Sequence, residues 1–144
     1  MLTIVEKVIL LQSVDVFGEV STEQLAHLAA IAEEYEEPKD TRVYSESDPS
    51  DAMYIVLTGK VRLHRGDTEV TVAGAETAFG TWALFDDELR VVSATTLERS
   101  RLLRIDKEDF IDLLADNVEI TQGVLKAVVR RLRALAGRVG VGRG

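Results

Sequence analysis

Apolar residues near the start of the chain recur at helical spacing. Ile4, Val5, Val8, Ile9 and Leu11 fit a 3.6-residue repeat and predict a helix over roughly 3–13, with Phe17 beyond it as an anchor. Ser21 with Gln24 three residues later has the form of a capping box, and Leu25, Leu28, Ala29 and Ala32 supply one apolar face, so a second helix is predicted over 22–33. From Glu34 to Asp106 the pattern changes to apolar runs of roughly four to eight residues, broken by Asp-Pro-Ser, Thr-Gly, Arg-Gly-Asp and Ala-Gly, which is the signature of strands. Val61 and Leu63 alternate with Lys60, Arg62 and His64, and Val70 and Val72 alternate beyond Gly66-Asp67; this predicts a hairpin with one wet face.

Helical spacing then returns. Asp106 stands as an N-cap for a helix carrying Phe110, Leu113 and Leu114, and Asn117 as the cap of the next. In that last helix Leu125, Val128, Val129, Leu132, Leu135, Ala136 and Val139 form an apolar stripe wider than covering one body requires. Two helices, about eight strands and two helices predict an α+β, mainly β fold. The expected architecture is an antiparallel β-roll, a jelly-roll-like double-stranded barrel, flanked by N-terminal helices and a C-terminal helical pair. We expect one domain over 1–144, with N-terminal helices to 33, the roll over 34–106 and C-terminal helices over 107–139, the glycine-rich end being frayed.

Composition narrows the chemistry. With no cysteine, the chain has no disulfide, no thiolate nucleophile and no sulfur-ligated metal, and a cytoplasmic setting is expected. The stretch Leu2–Val14 carries Glu6, Lys7 and Gln12 and is shorter than the ~20 residues that span a bilayer, so no membrane insertion is expected. His27 and His64 fall in different elements, which argues against a metal site and against a cupin-like metal enzyme. No Gly-x-Ser-x-Gly elbow or phosphate loop occurs, so no catalytic residue is assigned and enzyme activity is not expected. Arg65-Gly66-Asp67 has the letters of an adhesion tripeptide but reads as a hairpin turn.

A net charge of −8 repels phosphate polymers, although no acidic residue follows Glu119 while Lys126, Arg130, Arg131, Arg133, Arg138 and Arg143 do. No DNA partner is expected: a helix-turn-helix would have to follow the last helix, where the chain ends.

One segment carries binding chemistry. Gly80 lets the backbone approach a ligand closely, and a short turn starting there can present the amides of Ala83 and Leu84 to an anion. Arg90 would add a full charge with two parallel donors for a phosphate. The alternative for Arg90 is a surface arginine paired with Asp86, Asp87 or Glu88. Trp82, the sole tryptophan, either packs in the core or lines the pocket.

Two segments resemble the cyclic-nucleotide-binding domain family: Val43 to Val61, reading VYSESDPSDAMYIVLTGKV, and Phe79 to Ser93, reading FGTWALFDDELRVVS. The latter is similar to that family's phosphate-binding cassette, Phe-Gly-Glu-x-Ala-Leu followed by Arg-x-Ala-Thr or Ser, with the same glycine-to-arginine spacing. This chain has Thr81 where the family has the glutamate that accepts from the ribose 2′-hydroxyl, Val91 and Val92 where small residues follow the arginine, and Ser47 where a glycine is usual. The resemblance implies a regulatory module that binds cyclic AMP, cyclic GMP or a related small phosphate ligand through Gly80, Thr81, Ala83, Leu84, Arg90 and Val91. Trp82 and Val92 become pocket-lining candidates, and no resident cofactor is implied. Binding would be read out by movement of the helices after Asp106. The helix over 118–136 is a candidate homodimer seam or docking surface. The rival reading is an interaction module of the same fold that has lost its ligand.

Overall fold

The computed structural model describes residues 1–138; Val139, Arg143 and the glycine-rich end lie outside them. The chain divides into two compact units, one of residues 31–111 with Met1, the other of residues 2–30 and 112 onward.

The first unit holds eight strands among the described residues: β1 (Glu33–Glu37), β2 (Arg42–Tyr44), β3 (Ala52–Thr58), β4 (Val61–Arg65), β5 (Thr68–Ala73), β6 (Ala78–Phe79), β7 (Ser93–Thr96) and β8 (Ser100–Asp106). They form two four-stranded sheets, ordered β1-β8-β3-β6 and β2-β7-β4-β5, with every pairing antiparallel. Ala52 to Val56 are all buried, so β3 reads as a continuous apolar run. Tyr44, Tyr54, Val61, Phe79, Ala94 and Leu102 from both sheets meet in one core cluster. This is the antiparallel β-roll expected from the strand pattern.

Edges depart from the expectation. β5 is the last strand of its sheet, and Val70 and Val72 are exposed, so the alternation there marks a strand without marking a buried face. Gly59 ends β3 at φ +102°, where a Cβ would fall 2.2 Å from the Ser100 hydroxyl oxygen; only glycine fits that turn.

Helices α1 (Ile4–Gln12) and α2 (Thr22–Ile31), a 3₁₀ turn at Asp15–Phe17 and α4 (Val118–Arg138) lie wholly or almost wholly in the second unit; α3 (Lys107–Asp116) runs from the first unit into it. α1 starts on a reciprocal capping box: the Glu6 amide donates to the Thr3 hydroxyl and the Thr3 amide to the Glu6 carboxylate, at 3.1 and 3.0 Å. The Thr-x-x-Glu spelling makes this box a second sequence signal for α1, beside the apolar spacing. The Gln24 amide donates to the Ser21 hydroxyl at 3.3 Å, and the Glu108 amide to the Asp106 carboxylate at 2.9 Å.

Asn117 acts differently from the expectation. Its side-chain amide donates to the Leu113 carbonyl at 2.9 Å, closing the end of α3, while its backbone carbonyl accepts the first bonds of α4. α4 buries a face the stripe did not predict, Ile120, Gly123, Val124 and Ala127. Gly123 is needed there because a Cβ would meet Val20 Cγ2 at 2.9 Å and the Glu19 carbonyl at 3.1 Å. Most of the predicted stripe is left outside: Leu125, Val129, Leu132 and Leu135 are exposed, while Val128 and Ala136 are half-buried.

Candidate functional site

Phe79 pairs with Tyr54 across β6 and β3, which fixes the chain just before Gly80. Gly80 then takes φ +69° and opens a 3₁₀ turn over Thr81–Leu84. The Ala83 amide closes that turn onto the Gly80 carbonyl at 3.2 Å, so it is engaged inside the turn instead of being presented outward as expected.

Arg90 enters from the other side. Its amide donates to the Asp48 carbonyl and its carbonyl accepts from the Ser47 amide, both at 2.8 Å. Ser47 holds φ +69°, the left-handed conformation that explains a glycine preference at this turn. The side chain turns inward and is only 7% exposed. The alternative of a surface cation paired with Asp86, Asp87 or Glu88 is therefore overturned, because those carboxylates are exposed while the guanidinium is packed in the interior.

Neighbouring groups compensate the charge in part. Nη2 donates to the Ala52 carbonyl at 2.6 Å and lies 3.6 Å from the Asp51 carboxylate. The guanidinium carbon sits 3.9 Å from the centre of the Tyr44 ring, a cation–π contact worth about 1–2 kcal/mol. Tyr44 is itself braced by Tyr54 and Phe79. Nε is buried with no hydrogen-bond partner among the described residues. A Cβ on Gly80 would lie 2.8 Å from Nη1 and 3.3 Å from the Tyr44 hydroxyl, so the bare glycine backbone leaves room for the guanidinium.

Arg90, Tyr44 and Gly80 line a cavity of about 490 Å³ in the first unit. Gly80, Thr81, Ala83, Arg90 and Val91 all line it, as do Trp82 and Val92; Leu84 is buried outside its lining. Val91 is exposed at the edge of that lining. Trp82 is 49% exposed, which removes the core-packing reading: it stands at the cavity rim with its ring edge-on to Phe85. Sequence reasoning missed Tyr44, whose aromatic face under Arg90 has no signature beyond its place in the turn-flanking segment.

From the cassette, contacts lead to α3. Lys107 Nζ donates to the Asp86 carbonyl and to the Asp87 carboxylate, the latter at 2.8 Å, and holds that carboxyl below its usual range. Phe85 meets Phe110 edge-on at 5.6 Å.

Elsewhere, His64 is buried with its two ring nitrogens against the Gly66 carbonyl and the Thr95 hydroxyl, at 2.7 and 2.8 Å. Among the described residues no group of His, Cys, Asp and Glu is placed to hold a metal. No described helix is long and apolar enough to cross a membrane. A larger groove of about 650 Å³ in the second unit has its main cations paired, Arg130 with Glu19 and Arg131 with Asp15, both at 2.7 Å.

Residues 36–117 match the family model described as cyclic nucleotide-binding domain. The chain is 30% identical over 123 residues to the CRP-like cAMP-activated global transcriptional regulator of Mycobacterium tuberculosis, covering 82% of this chain and 55% of that protein. It is 33% identical over 101 residues to the cyclic AMP receptor protein of Thermus thermophilus, covering 67% of this chain and 47% of that one. The N-terminal domain of a transcriptional regulator from Streptomyces coelicolor A3(2) superposes with a TM-score of 0.82 at 31% identity, over 90% of this chain and 94% of that chain. This chain thus spans about half the length of the curated relatives it matches. Two of these proteins are named as transcriptional regulators, so the expectation of no DNA partner gains no support from them.

Burial pushes the Tyr44 hydroxyl up to about 12, partly offset by Arg90, and pushes Tyr35 up as well. A raised native value makes the contribution full below the ordinary value of 10.0 and lost as pH rises toward about 12, because the unfolded chain ionises first. Urea unfolding between pH 9 and 11.5 should therefore show stability falling above about pH 10, with Tyr44 contributing up to about 1.4 kcal/mol per pH unit. Tyr44→Phe should make that fall shallower; an unchanged alkaline slope would contradict the buried placement.

Proposed function

Because the chain belongs to the cyclic nucleotide-binding domain family, we propose that its roll is a sensor that binds cyclic AMP or cyclic GMP, with the cyclic phosphate on Arg90. The observation that carries this reading is the buried guanidinium with an unsatisfied Nε beside the bare backbone of Gly80. A buried donor without a partner costs about 1–3 kcal/mol, and a phosphate oxygen would recover that cost. The remaining charge favours a singly charged ligand: Asp51 already neutralises part of Arg90, and Asp86 and Glu88 stand along the rim. A cyclic phosphodiester carries one negative charge.

Readout follows from the contacts of the cassette. A ligand over Gly80–Ala83 bears on the turn that continues into Phe85, Asp86 and Asp87, and these hold Lys107 and Phe110 at the start of α3. A shift of the turn therefore repositions α3 and, through the chain, α4. A homodimer would read that movement through the exposed stripe of α4. Leu125, Val129 and Leu132 repeat at helical spacing with no cover among the described residues of their own unit. The same stripe supports the rival reading of a ligand-free interaction module, which the loss of carboxylate chemistry at Thr81 also favours.

Two variants separate these readings by calorimetry. Arg90→Ala should weaken cyclic-nucleotide binding by about 2 kcal/mol, roughly 30-fold, since a charged partner is lost. Thr81→Glu should tighten it about 10-fold by restoring a charged acceptor for the sugar hydroxyl. Unaltered affinity in Arg90→Ala would remove the anchor.

For the helix, Val128→Asp with Leu132→Asp should dissociate a dimer in sedimentation while circular dichroism shows the roll folded. A wild-type chain that stays monomeric at high concentration would remove the dimer.

A further inference from the structure

The sheet of β2, β7, β4 and β5 carries a closed ring of hydrogen bonds that passes through His64. That residue is buried, and its Nδ1 lies 2.7 Å from the Gly66 carbonyl, which can only accept, so Nδ1 carries the proton. In the neutral side chain Nε2 is then the acceptor, and the Thr95 hydroxyl at 2.8 Å donates to it. The oxygen of that hydroxyl in turn accepts from Arg42 Nε at 3.0 Å. Arg42 Nη1 reaches the Ser93 hydroxyl at 3.4 Å, and the Glu46 amide donates to the same hydroxyl at 3.0 Å. The Gly66 amide donates to the Glu46 carboxylate at 2.7 Å, which closes the ring.

Glu46 belongs to the turn whose next residues, Ser47 and Asp48, grip the Arg90 backbone. From the β4–β5 hairpin, Arg65 Nε also donates to the carbonyl of Val91, the residue after Arg90, at 3.3 Å. We propose that His64 is a positioning residue for the Arg90 site: its neutral imidazole fastens the hairpin to the turn that holds Arg90, so ligand affinity falls when mild acid adds a second proton. This rests on the reading of Arg90 as the phosphate anchor. A protonated Nε2 must donate, so the Thr95 oxygen would face two cationic donors while its own proton loses its acceptor. The surrounding charges do not offset this. Arg42 of β2 and Arg62 of β4 are positive, and β7 brings only the neutral Ser93 and Thr95. Glu69, opposite His64 on β5, is paired with Arg62, and the Glu46 carboxylate is held by the Gly66 amide. Arg65 and Asp67 lie at the exposed hairpin end.

The test is calorimetry of cyclic AMP and cyclic GMP on the whole chain at about pH 7.5 and about pH 5.5, on either side of the ordinary histidine range. The cyclic phosphodiester keeps its single charge throughout. Wild type should bind about 5-fold more weakly in acid, the worth of one hydrogen bond, and His27→Gln, which removes the other histidine, should keep that loss. His64→Gln, which cannot take up the proton, should hold its affinity within about 2-fold between the two conditions. Arg42→Gln should shrink the acid loss as well, because the Thr95 oxygen is then free to accept from a protonated Nε2; it keeps the proposal testable if His64→Gln does not fold by circular dichroism. A wild-type affinity independent of pH, or an acid loss undiminished in the folded variants, would overturn the role of His64, and the anchor would stand if Arg90→Ala still weakened binding. No binding of either nucleotide by wild type at either pH would overturn both.

Discussion

A guanidinium taken out of water must be compensated by its surroundings, and at Arg90 the compensation comes from one segment far back in the sequence, Tyr44 to Ala52. The Tyr44 face, the Ala52 carbonyl and the Asp51 carboxylate sit on β2, β3 and the turn between them. Desolvating such a cation costs several kcal/mol, and removing one partner leaves the rest of the cost standing. Asp51 is largely exposed, so its share is screened by water and the nearer carbonyl and ring carry more of the burden. Even so, Nε remains without a hydrogen-bond partner among the described residues. On the function proposed above, an anion would complete the arrangement.

Several otherwise separate features serve this one side chain. Ser47 accepts a left-handed backbone so that the Ser45–Asp48 turn can grip the Arg90 backbone from both sides. Gly80 leaves its side open because any Cβ would strike Nη1. The aromatic cluster of Tyr44, Tyr54 and Phe79 keeps the Tyr44 ring in position beneath the charge, and Phe79 in turn fixes the start of the cassette. Lys107 and Phe110 then tie the end of the cassette to α3. Holding the cation and linking the site to a helix are thus done by overlapping residues, which is the physical basis of the sensing we propose.

Much of this was legible in the sequence because periodicity and turn residues report backbone structure directly. The strand runs, the caps at Ser21 and Asp106 and the glycine-to-arginine spacing pointed to the roll and the cassette. What stayed hidden depends on direction. Arg90 reads equally well as a surface cation until its inward turn is seen, and Tyr44 is one aromatic among several. Val70 and Val72 alternate as though one face were covered, yet β5 is an edge strand. α4 carries two apolar faces, and the broader stripe drew attention while the narrower Ile120–Ala127 face is the one buried. Periodicity marks apolar positions but cannot say which of two stripes finds cover. Asn117 shows the same limit at a cap, since one amide side chain serves equally well facing the helix before it.

The central claim is that the half-compensated charge of Arg90 is completed by a cyclic phosphodiester. Calorimetric titration of the wild-type chain with cyclic AMP and cyclic GMP, beside inorganic phosphate at the same ionic strength, tests it most directly. Saturable binding of at least one cyclic nucleotide is expected at one site per chain, tighter than that of inorganic phosphate. Heats of dilution alone for both nucleotides up to millimolar concentration would contradict the claim and leave the fold as an interaction module.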